Sequence, residues 1–312
     1  MTGRVLVTGG AGYLGSILCE HLLDAGHRVT VIDKLIYGQH SLFQFCSNPA
    51  FEFVFGDVRD EGLMRRHAKN ADVIIPLAAI VGAPACDRDP WLARSVNLEA
   101  VRLLNGLRSP QQLLIFPTTN SGYGTKSGDV SCTEDSPLEP ISLYGQTKVQ
   151  AEMELLQTPN VISFRLATVF GMSPRPRLDL LVNHFVYAAV TDGYITIFEK
   201  DFKRNYVHIR DVADGFVHGI RHARDMVGRP YNMGLDAANL SKAELATKVK
   251  EYVPHFYIHF SDVGSDPDKR NYIVSNERLR KVGFEARRSL DEGIQELLKG
   301  YRMLGRAPLK NV

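Results

Sequence analysis

A glycine-rich turn near the start of this 312-residue chain is the feature that most constrains its fold. The run Arg4–Thr8 before the turn is short and apolar, as expected of a strand buried on both faces. After the turn, apolar residues recur at helical spacing until Gly26, a residue type that commonly follows a helix end. A second strand-like run covers Arg28–Asp33. Strand, helix and strand in this order predict a right-handed crossover onto a parallel sheet.

Strand-like and helix-like runs continue to alternate along the first half of the chain. Strands rich in Val, Ile, Leu and Phe are predicted at 51–55, 73–77, 113–116 and 161–170. Helices are predicted at about 90–107 and 143–156. Six or seven such strand–helix units predict an α/β fold with a Rossmann-type doubly wound parallel sheet.

The composition changes after Gly171, where 172–179 is rich in Pro and Arg. The later pattern predicts helices at 180–190 and 212–223, strands at 194–198 and 206–209, and capping boxes at Ser241 with Glu244 and at Ser289 with Glu292. We expect 1–171 to form the Rossmann domain, with returning segments near 206–235. The remainder, 172–312, is expected to form mostly a smaller C-terminal lobe.

Charge and cysteine usage exclude several classes of protein. With 37 Lys and Arg against 35 Asp and Glu, the net charge of +2 provides no general attraction to nucleic acid or to anionic lipid. No stretch reaches the ~18 apolar residues of a membrane span, so we expect a cytoplasmic protein with neither a membrane nor a nucleic-acid partner. The cysteines lack metal-site spacing and are expected to be buried free thiols: Cys19, Cys46, Cys86 and Cys132.

The glycine turn, T-G-G-A-G-Y-L-G, has the spacing of a dinucleotide-binding loop. Such a turn brings backbone close to a pyrophosphate, and the following helix directs free N–H groups at it. The expected contacts are Gly9, Gly12, Tyr13, Leu14 and Gly15. Asp33 ends the next strand eighteen residues after Gly15, where a carboxylate accepts ribose hydroxyls and repels a 2′-phosphate. These features favour NAD, although the neighbouring Lys34 leaves dual use of NADP open. The alternative is an ordinary strand–helix turn followed by a solvated Asp.

Tyr144 and Lys148 form a Y-x-x-x-K pair on a predicted helix, so both side chains project from one face. An ammonium beside a phenol lowers the phenol pKa from ~10 toward working pH. Such a tyrosine can take a proton from a sugar hydroxyl as hydride leaves the carbon. The alternative is an exposed Tyr and Lys without a catalytic role.

Together and in this order, the motifs resemble the extended short-chain dehydrogenases/reductases, specifically the NAD-dependent sugar-nucleotide epimerase/dehydratase family. The resemblance covers essentially the whole chain and includes Gly56-Asp57-Val58, Leu77-Ala78-Ala79, Thr118-Thr119, 165–171 and 204–211. It implies that Asp57 and Val58 border adenine, and that Leu77, Ala78 and Ala79 contact the cofactor phosphates and ribose. It also implies that Lys148, beside Tyr144, contacts the nicotinamide ribose, that Thr119 is the catalytic hydroxyl, and that Asn97 braces the central helix.

The residues after Thr119 bear on the reaction. The 4,6-dehydratases of this family carry Asp-Glu there, whereas this chain has Asn120-Ser121, so dehydration is disfavoured. The family's 3,5-epimerases use a cysteine in that stretch, and the nearest here is Cys132. The resemblance therefore implies redox at C4 of a nucleotide-diphosphate sugar through a 4-keto intermediate, as in a 4-epimerase. A 4-dehydrogenase or 4-ketoreductase with net redox is an alternative, and a non-catalytic NAD-sensing protein is another.

The resemblance also implies substrate contacts, and these are Asn120, Ser121, Thr168, Arg204, Asp268 and Arg270. Thr168 departs from the Asn usual in galactose-type 4-epimerases, and 80–90 resembles a branch that includes GDP-heptose C4 dehydrogenases. Arg175 and Arg177 fit either the substrate lobe or a solvated turn, whereas His184 and His208 need no catalytic role. A homodimer is implied on the helices near Asn97 and Lys148, with apolar candidates Leu98, Val101, Leu104, Val149, Met153 and Leu156.

Overall fold

A parallel sheet forms the centre of the computed structural model, which describes residues 2–125, 131–263 and 271–304. Its strands are β1 (Arg4–Thr8), β2 (Arg28–Asp33), β3 (Phe51–Phe55), β4 (Val73–Pro76), β5 (Leu113–Thr119), β6 (Ser131–Cys132), β7 (Val161–Leu166), β8 (Thr168–Phe170), β9 (Tyr194–Ile197), β10 (Lys203–His208), β11 (Arg229–Met233), β12 (Asn239–Ser241), β13 (Tyr257–Phe260) and β14 (Ile273–Val274). Seven of these pair in parallel in the order β3-β2-β1-β4-β5-β7-β11. This order confirms the predicted Rossmann-type α/β fold.

Helices cover both faces of the sheet and build the C-terminal lobe. They are α1 (Tyr13–Asp24), α2 (Glu61–Ala68), α3 (Ala83–Arg88), α4 (Pro90–Arg94), α5 (Ala100–Leu107), α6 (Leu143–Leu155), α7 (Leu181–Thr191), α8 (Ile209–Arg221), α9 (Ala223–Met226), α10 (Lys242–Tyr252), α11 (Glu277–Lys281) and α12 (Leu290–Leu304). As predicted, Gly26 follows α1 with a positive φ of 83°. Both predicted capping boxes form, at the starts of α10 and α12.

Two predicted elements differ from the structure, and one strand of the main sheet was not predicted. The helix expected over 90–107 is divided into α4, a π turn at Ser95–Glu99, and α5. The strand expected over 161–170 is two strands, because β8 leaves the main sheet and pairs with β10. No strand was expected at Arg229–Met233, which contains Pro and Asn, yet it forms β11 at the sheet edge, where a proline is tolerated.

The strand order reverses between β1 and β4, and this position creates the main crevice. The segments that follow β1 and β4 run away from each other, so the space beyond the carboxyl ends of these two strands stays open to a ligand. The ends are tied together, since the Leu77 N–H donates to the Thr8 carbonyl at 2.9 Å. The glycine turn follows Thr8, which places it at the mouth of this crevice.

Two apolar cores lie on either side of the crevice. The larger packs the sheet against α1 and α8, with Val7, Ile17 and Phe216 at its centre. The smaller packs α7, α10 and α12 together, and Phe185 and Ile294 lie within it. Residues of α8 and β11 therefore pack with the large core, although they follow the start of the C-terminal lobe in sequence.

A hydrogen-bonded group of three residues, which we name the Tyr13 clasp, connects these two parts. The Tyr13 hydroxyl donates to the Gly171 carbonyl at 2.8 Å and accepts from the Asn183 Nδ2 at 3.2 Å. The Asn183 Oδ1 in turn accepts from the Gly171 N–H at 3.1 Å. Burial raises the pKa of Tyr13 well above its ordinary value, so the phenol keeps its proton and remains a donor.

The structure buries three of the four cysteines. Cys19, Cys86 and Cys132 are buried thiols outside any disulfide, as expected, whereas Cys46 is exposed on the loop before β3, so the expectation of burial is wrong for Cys46. No helix in the described ranges is long and apolar enough to cross a membrane.

Replacing Tyr13 with Phe removes the hydroxyl of the clasp and leaves the Gly171 carbonyl and the Asn183 amide short of one partner each. We expect Tyr13→Phe to lower the free energy of unfolding by about 1–3 kcal/mol, measured by urea denaturation. The matched control is Tyr194→Phe, at an exposed tyrosine, which should change stability by less than about 0.5 kcal/mol. Equal effects of the two substitutions would show that the clasp adds nothing.

Candidate nucleotide-sugar site

The glycine turn has the shape of an anion cradle. A Cβ on Gly9, where φ is +72°, would lie 2.5 Å from the Ala78 nitrogen, so β1 and β4 approach too closely for a side chain. A Cβ on Gly15 would lie 2.6 Å from the Gly10 Cα. A Cβ on Gly12 would meet the Gly9 carbonyl oxygen at 3.1 Å and, beyond its chain neighbours, no other atom of the described residues within 4 Å, so the turn is less crowded on that side. Among the described residues no side chain caps α1, so its first N–H groups can bind a pyrophosphate.

Two expected contacts within the turn use their side chains elsewhere. The Tyr13 side chain belongs to the clasp, and Leu14 packs against the larger core. Tyr13 and Leu14 can therefore contribute only their backbone N–H groups, at the start of α1, to the binding of an anion. Ser173 strengthens this arrangement, because its hydroxyl donates to the Tyr13 carbonyl at 2.7 Å.

Asp33 is fixed at the carboxyl end of β2, beside the turn. Its carboxylate accepts the Ala11 N–H at 2.9 Å and the Leu35 N–H at 2.8 Å. Burial raises the pKa of the Asp33 carboxyl, and these backbone hydrogen bonds partly oppose that effect. Each oxygen keeps a further lone pair, so the carboxylate can accept the hydroxyls of a ribose.

Lys34, the residue that could also favour NADP, pairs with a carboxylate other than that of Asp33. Its Nζ lies 2.9 Å from the Asp57 Oδ2, and Arg59 binds the same carboxylate at 2.7 Å. Hydrogen bonds from Arg59 hold the pKa of Asp57 well below its usual range. Asp57 therefore remains charged and occupies Lys34, which favours the cofactor without a 2′-phosphate. Val58, the residue after Asp57, packs against the apolar cluster between α2 and the sheet.

Thr119 ends β5 and begins a buried 3₁₀ turn, Asn120–Tyr123. The Thr119 Oγ1 accepts the Ser121 N–H at 3.1 Å and lies 2.8 Å from the Ser121 Oγ. The Asn120 side chain is fully buried, and neither of its amide atoms has a hydrogen-bond partner in the described chain. Asn97 differs, since its amide bonds both the N–H and the carbonyl of Ile80 and so anchors the loop after β4.

Tyr144 and Lys148 lie on the first two turns of α6, one helical turn apart as predicted. Tyr144 is half-buried and packs in a small apolar cluster with Ile80. Lys148 is only 4% exposed, and its Nζ lies 3.9 Å from the centre of the Phe116 ring. Burial lowers the pKa of Lys148 to about 7, while the Glu152 carboxylate partly offsets that shift.

A buried ion pair fixes α6 against the sheet. The Arg165 Nη2 on β7 lies 2.6 Å from the Glu152 Oε1, with both side chains almost wholly inaccessible. The second Glu152 oxygen accepts the Ser163 hydroxyl at 2.9 Å, so the carboxylate is fully engaged. Such pairs are strongly destabilising to break, because one charge is left without a partner. The pair therefore holds the helix that carries Tyr144 and Lys148.

On the lobe side, Thr168 pairs with Tyr206 between β8 and β10, and Arg204 lies on β10 with 2% of its surface exposed. Arg175 and Arg177 are also buried, which excludes the solvated-turn interpretation. The Arg175 guanidinium lies 4.6 Å from the centre of the Tyr37 ring, on the loop after Asp33. The remaining arginine of this turn is paired, since the Arg177 Nε donates to the Asp179 Oδ1 at 2.9 Å.

The structure gathers most of the expected residues around one crevice: the glycine turn, Asp33, Leu77 to Ala79, Thr119 to Ser121, Tyr144 and Lys148. Asp268 and Arg270 lie outside the described residues. Sequence reasoning missed Asn183 and Tyr37, because the only signal for either is a contact between distant segments. His208 is buried and bonds Glu296 at 2.8 Å, which agrees with a structural role. In the described ranges no three His, Cys, Asp or Glu side chains gather as a metal site.

Comparison with known proteins agrees with this geometry. The profile of the NAD dependent epimerase/dehydratase family matches residues 5–234. A UDP-glucose 4-epimerase of Mycolicibacterium smegmatis is 31% identical over 317 residues, which cover 96% of this chain and 98% of that protein. The low-salt glycan biosynthesis protein Agl12 of Haloferax volcanii is 27% identical over 311 residues, covering 95% and 98%.

Solved structures share the fold along nearly the whole chain. A UDP-glucuronic acid 4-epimerase of Bacillus cereus superposes with a TM-score of 0.85 at 24% identity, covering 97% of this chain and 100% of that one. The family profile spans the sheet from β1 to β11, together with the turn, Asp33, Thr119, Tyr144 and Lys148. From that match and the identity to the mycobacterial relative, this chain belongs to the NAD dependent epimerase/dehydratase family.

Proposed function

We propose that this protein is an NAD-dependent enzyme that acts at C4 of a nucleotide-diphosphate sugar and epimerises that carbon through a 4-keto intermediate. One observation carries the proposal. The buried ammonium of Lys148 lies on the same helix face as Tyr144, beside the strand end that carries Thr119. This combination suits the removal of a proton from a secondary alcohol.

The residues of the crevice fit NAD. The first N–H groups of α1 can bind the pyrophosphate, Asp33 can accept the ribose hydroxyls, and Leu77 to Ala79 follow the neighbouring strand β4. The Lys148 Nζ has N–H groups that can donate to a ribose hydroxyl. When bound, NAD supplies the hydride acceptor for the sugar carbon.

Tyr144 acts as the base in this proposal. Its phenolate takes the proton of the sugar 4-hydroxyl, and the Lys148 ammonium favours that phenolate by lowering the phenol pKa. The Thr119 hydroxyl donates a hydrogen bond to the C4 oxygen as the ketone forms. Ser121 holds that hydroxyl in place through the contacts at 2.8 and 3.1 Å. In the reverse direction Tyr144 returns the proton to the C4 oxygen.

The turn after Thr119 disfavours dehydration. Asn120 and Ser121 have no carboxylate that can act as a general acid or base on neighbouring carbons. For the substrate diphosphate we propose Arg204, whose planar guanidinium suits two phosphate oxygens, with Thr168 close to the sugar. The expected contacts Asp268 and Arg270 remain part of the same proposal.

Epimerisation requires that the reduced cofactor stay bound until hydride returns. The contact between Arg175 and Tyr37 supports retention, because it joins the loop after Asp33 to the lobe across the crevice. Net oxidation, as in a 4-dehydrogenase, is the second candidate, favoured by the sequence of 80–90. A 4-ketoreductase would use the same groups in the opposite direction.

The test is incubation of the purified protein with UDP-, GDP-, CDP- and dTDP-sugars while absorbance of reduced cofactor is followed. A product isomer without net NADH is expected for the epimerase. Accumulating NADH would assign the dehydrogenase instead, and oxidation of added NADH by a 4-keto sugar would assign the reductase. NAD binding without turnover of any substrate would favour a non-catalytic NAD-sensing protein.

Replacing Tyr144 with Phe removes the proposed proton acceptor and retains the ring. We expect Tyr144→Phe to lower kcat by about 10²–10⁴-fold, since general-base catalysis contributes that much, with NAD affinity nearly unchanged. Initial rates and cofactor fluorescence titration measure the two effects. Tyr257→Phe, at an exposed tyrosine on β13, is the control. Full turnover by Tyr144→Phe would exclude this residue as the base.

Lys148→Met tests the burial of the ammonium independently of catalysis. The pKa of Lys148 is about 7 in the folded chain and ~10.4 when unfolded, so the unfolded state binds more protons between these values. The wild type therefore gains stability as pH rises through this window, on the order of 4 kcal/mol. We expect the variant to have the higher Tm at pH 6 and its advantage to shrink toward pH 9.5. An advantage independent of pH would contradict a lowered pKa.

We also propose a homodimer through the face formed by α4 and α6. In the monomer Leu98, Val101, Leu104 and Val149 are buried and Leu156 is half-buried, so these five candidates belong mainly to the chain's own core. Met153 is 60% exposed on α6, and Trp91 is exposed on α4, which packs against α6.

A charge on this face should disrupt the dimer. We expect Met153→Glu to increase the dimer dissociation constant at least tenfold, because a carboxylate would lose its hydration at the interface. Light scattering across a concentration series measures this constant. Met303→Glu, at an exposed methionine on α12, is the matched control. A wild type that remains monomeric at all concentrations would end the proposal.

A further inference from the structure

Glu152 lies one helical turn after Lys148, so Tyr144, Lys148 and Glu152 follow one another along a single face of α6. Side chains at this spacing have Cβ atoms about 5–6 Å apart. Lys148 and Glu152 are both removed from solvent, with 4% and 1% of their surface exposed. A buried ammonium and a buried carboxylate at this separation interact more strongly than the same two groups in water.

The sheet beneath α6 places the same two charged groups side by side. The Lys148 Nζ lies 3.9 Å from the centre of the Phe116 ring on β5, and the Glu152 Oε2 accepts the Ser163 hydroxyl on β7 at 2.9 Å. Phe116 and Ser163 are direct partners in the register of β5 and β7. Because neighbouring strands are about 4.8 Å apart, these two contacts bring Nζ and the carboxylate into one small region. This evidence is independent of the helix spacing.

The other elements that pack against α6 direct their titratable groups elsewhere. The Tyr123 hydroxyl donates to the Asn232 Oδ1 at 2.6 Å, and the Cys86 thiol donates to the Ile80 carbonyl at 3.3 Å. Across 2–125, 131–263 and 271–304, the remaining titratable residues of these elements are exposed at the surface: Asp87, Arg88, Arg94, Glu99 and Arg102. The charged group that acts on Lys148 is therefore Glu152.

Arg165 on β7 limits the effect of Glu152. Its Nη2 and Nε donate to the Glu152 Oε1 at 2.6 and 2.8 Å, while Ser163 binds the other carboxylate oxygen. The guanidinium charge partly neutralises the carboxylate and so weakens its attraction for the Lys148 ammonium. Glu152 thus lies between two cations, one bonded directly and one a helical turn away.

We infer that Glu152 is a positioning residue for the proposed reaction: its carboxylate keeps the Lys148 ammonium charged, and Arg165 sets how strongly it does so. Lys148 must carry its charge to stabilise the Tyr144 phenolate, because a neutral amine provides no such attraction. Burial lowers the pKa of Lys148, and the charge of Glu152 opposes that shift. This inference rests on the proposed function and gives the buried ion pair a role beyond holding α6 against the sheet.

The experiment follows kcat against pH in variants that remove one charge or both. Glu152→Gln should move the alkaline limb, where Lys148 loses its proton, to lower pH by about 0.5–1 unit. Arg165→Met should move that limb to higher pH, because Glu152 then acts on Lys148 without competition. The control Glu154→Gln breaks a surface pair with Arg102 on the same helix and should leave the limb in place.

The double variant Glu152→Gln/Arg165→Met decides the question if either single variant fails to fold, because it leaves no buried charge without a partner. We expect it to fold and to move the alkaline limb to lower pH, as Glu152→Gln does. A folded double variant with the wild-type limb would overturn the inference, as would a loss of kcat in every variant without any movement of the limb. Either result would reduce the pair to a structural role.

An NMR titration separates this inference from the proposed function. Lysine labelled with ¹³C at Cε reports the pKa of Lys148 directly, and the resonance is assigned by its absence in Lys148→Met. The pKa is expected to be about 7 in the wild type and lower in Glu152→Gln and in the double variant. An unchanged pKa in both variants would overturn the inference even if the enzyme is active. If no nucleotide sugar is turned over, the proposed function fails, and the titration still decides whether Glu152 controls the charge of Lys148.

Discussion

The Tyr13 clasp is the interaction on which the crevice depends. One phenol joins the glycine turn to Gly171 and Asn183, at the entrance to the C-terminal lobe. Each polar atom of the group has a partner, so the contact lies within the protein without the penalty of unpaired groups. These hydrogen bonds join the two walls of the crevice, between which the proposed reaction would take place.

Patterns within short segments predicted the sheet, the glycine turn and the placement of Tyr144 and Lys148 on one helix. Buried strands read as apolar runs, and the spacing of Tyr144 and Lys148 follows directly from the helical repeat. These patterns and the preferred hand of crossover connections are nearly sufficient to predict the Rossmann-type strand order, which the structure confirms. The edge strand β11 escaped this reasoning, since Pro230 and Asn232 resemble a loop and only pairing with β7 makes them a strand.

Contacts between distant segments could not be predicted from the sequence. The sequence does not show that Arg175 packs on Tyr37, that Asn183 joins the glycine turn, or that Lys148 is almost wholly buried. The helical periodicity of 90–107 also gave no indication of the π turn around Asn97. These features arise from tertiary packing, and they largely determine the chemistry of the site because burial and partners set the pKa of each group.

The pairing of Lys34 with Asp57 has a consequence for coenzyme exchange during evolution. A lysine after the second strand can interact with a phosphorylated coenzyme, but the ammonium of Lys34 is paired with the Asp57 carboxylate, which Arg59 also binds. Loss of the Asp33 charge alone would leave the cation occupied. We therefore expect the carboxylates of Asp33 and Asp57 to act together on coenzyme preference, because the first repels an added phosphate and the second competes with it for the Lys34 ammonium.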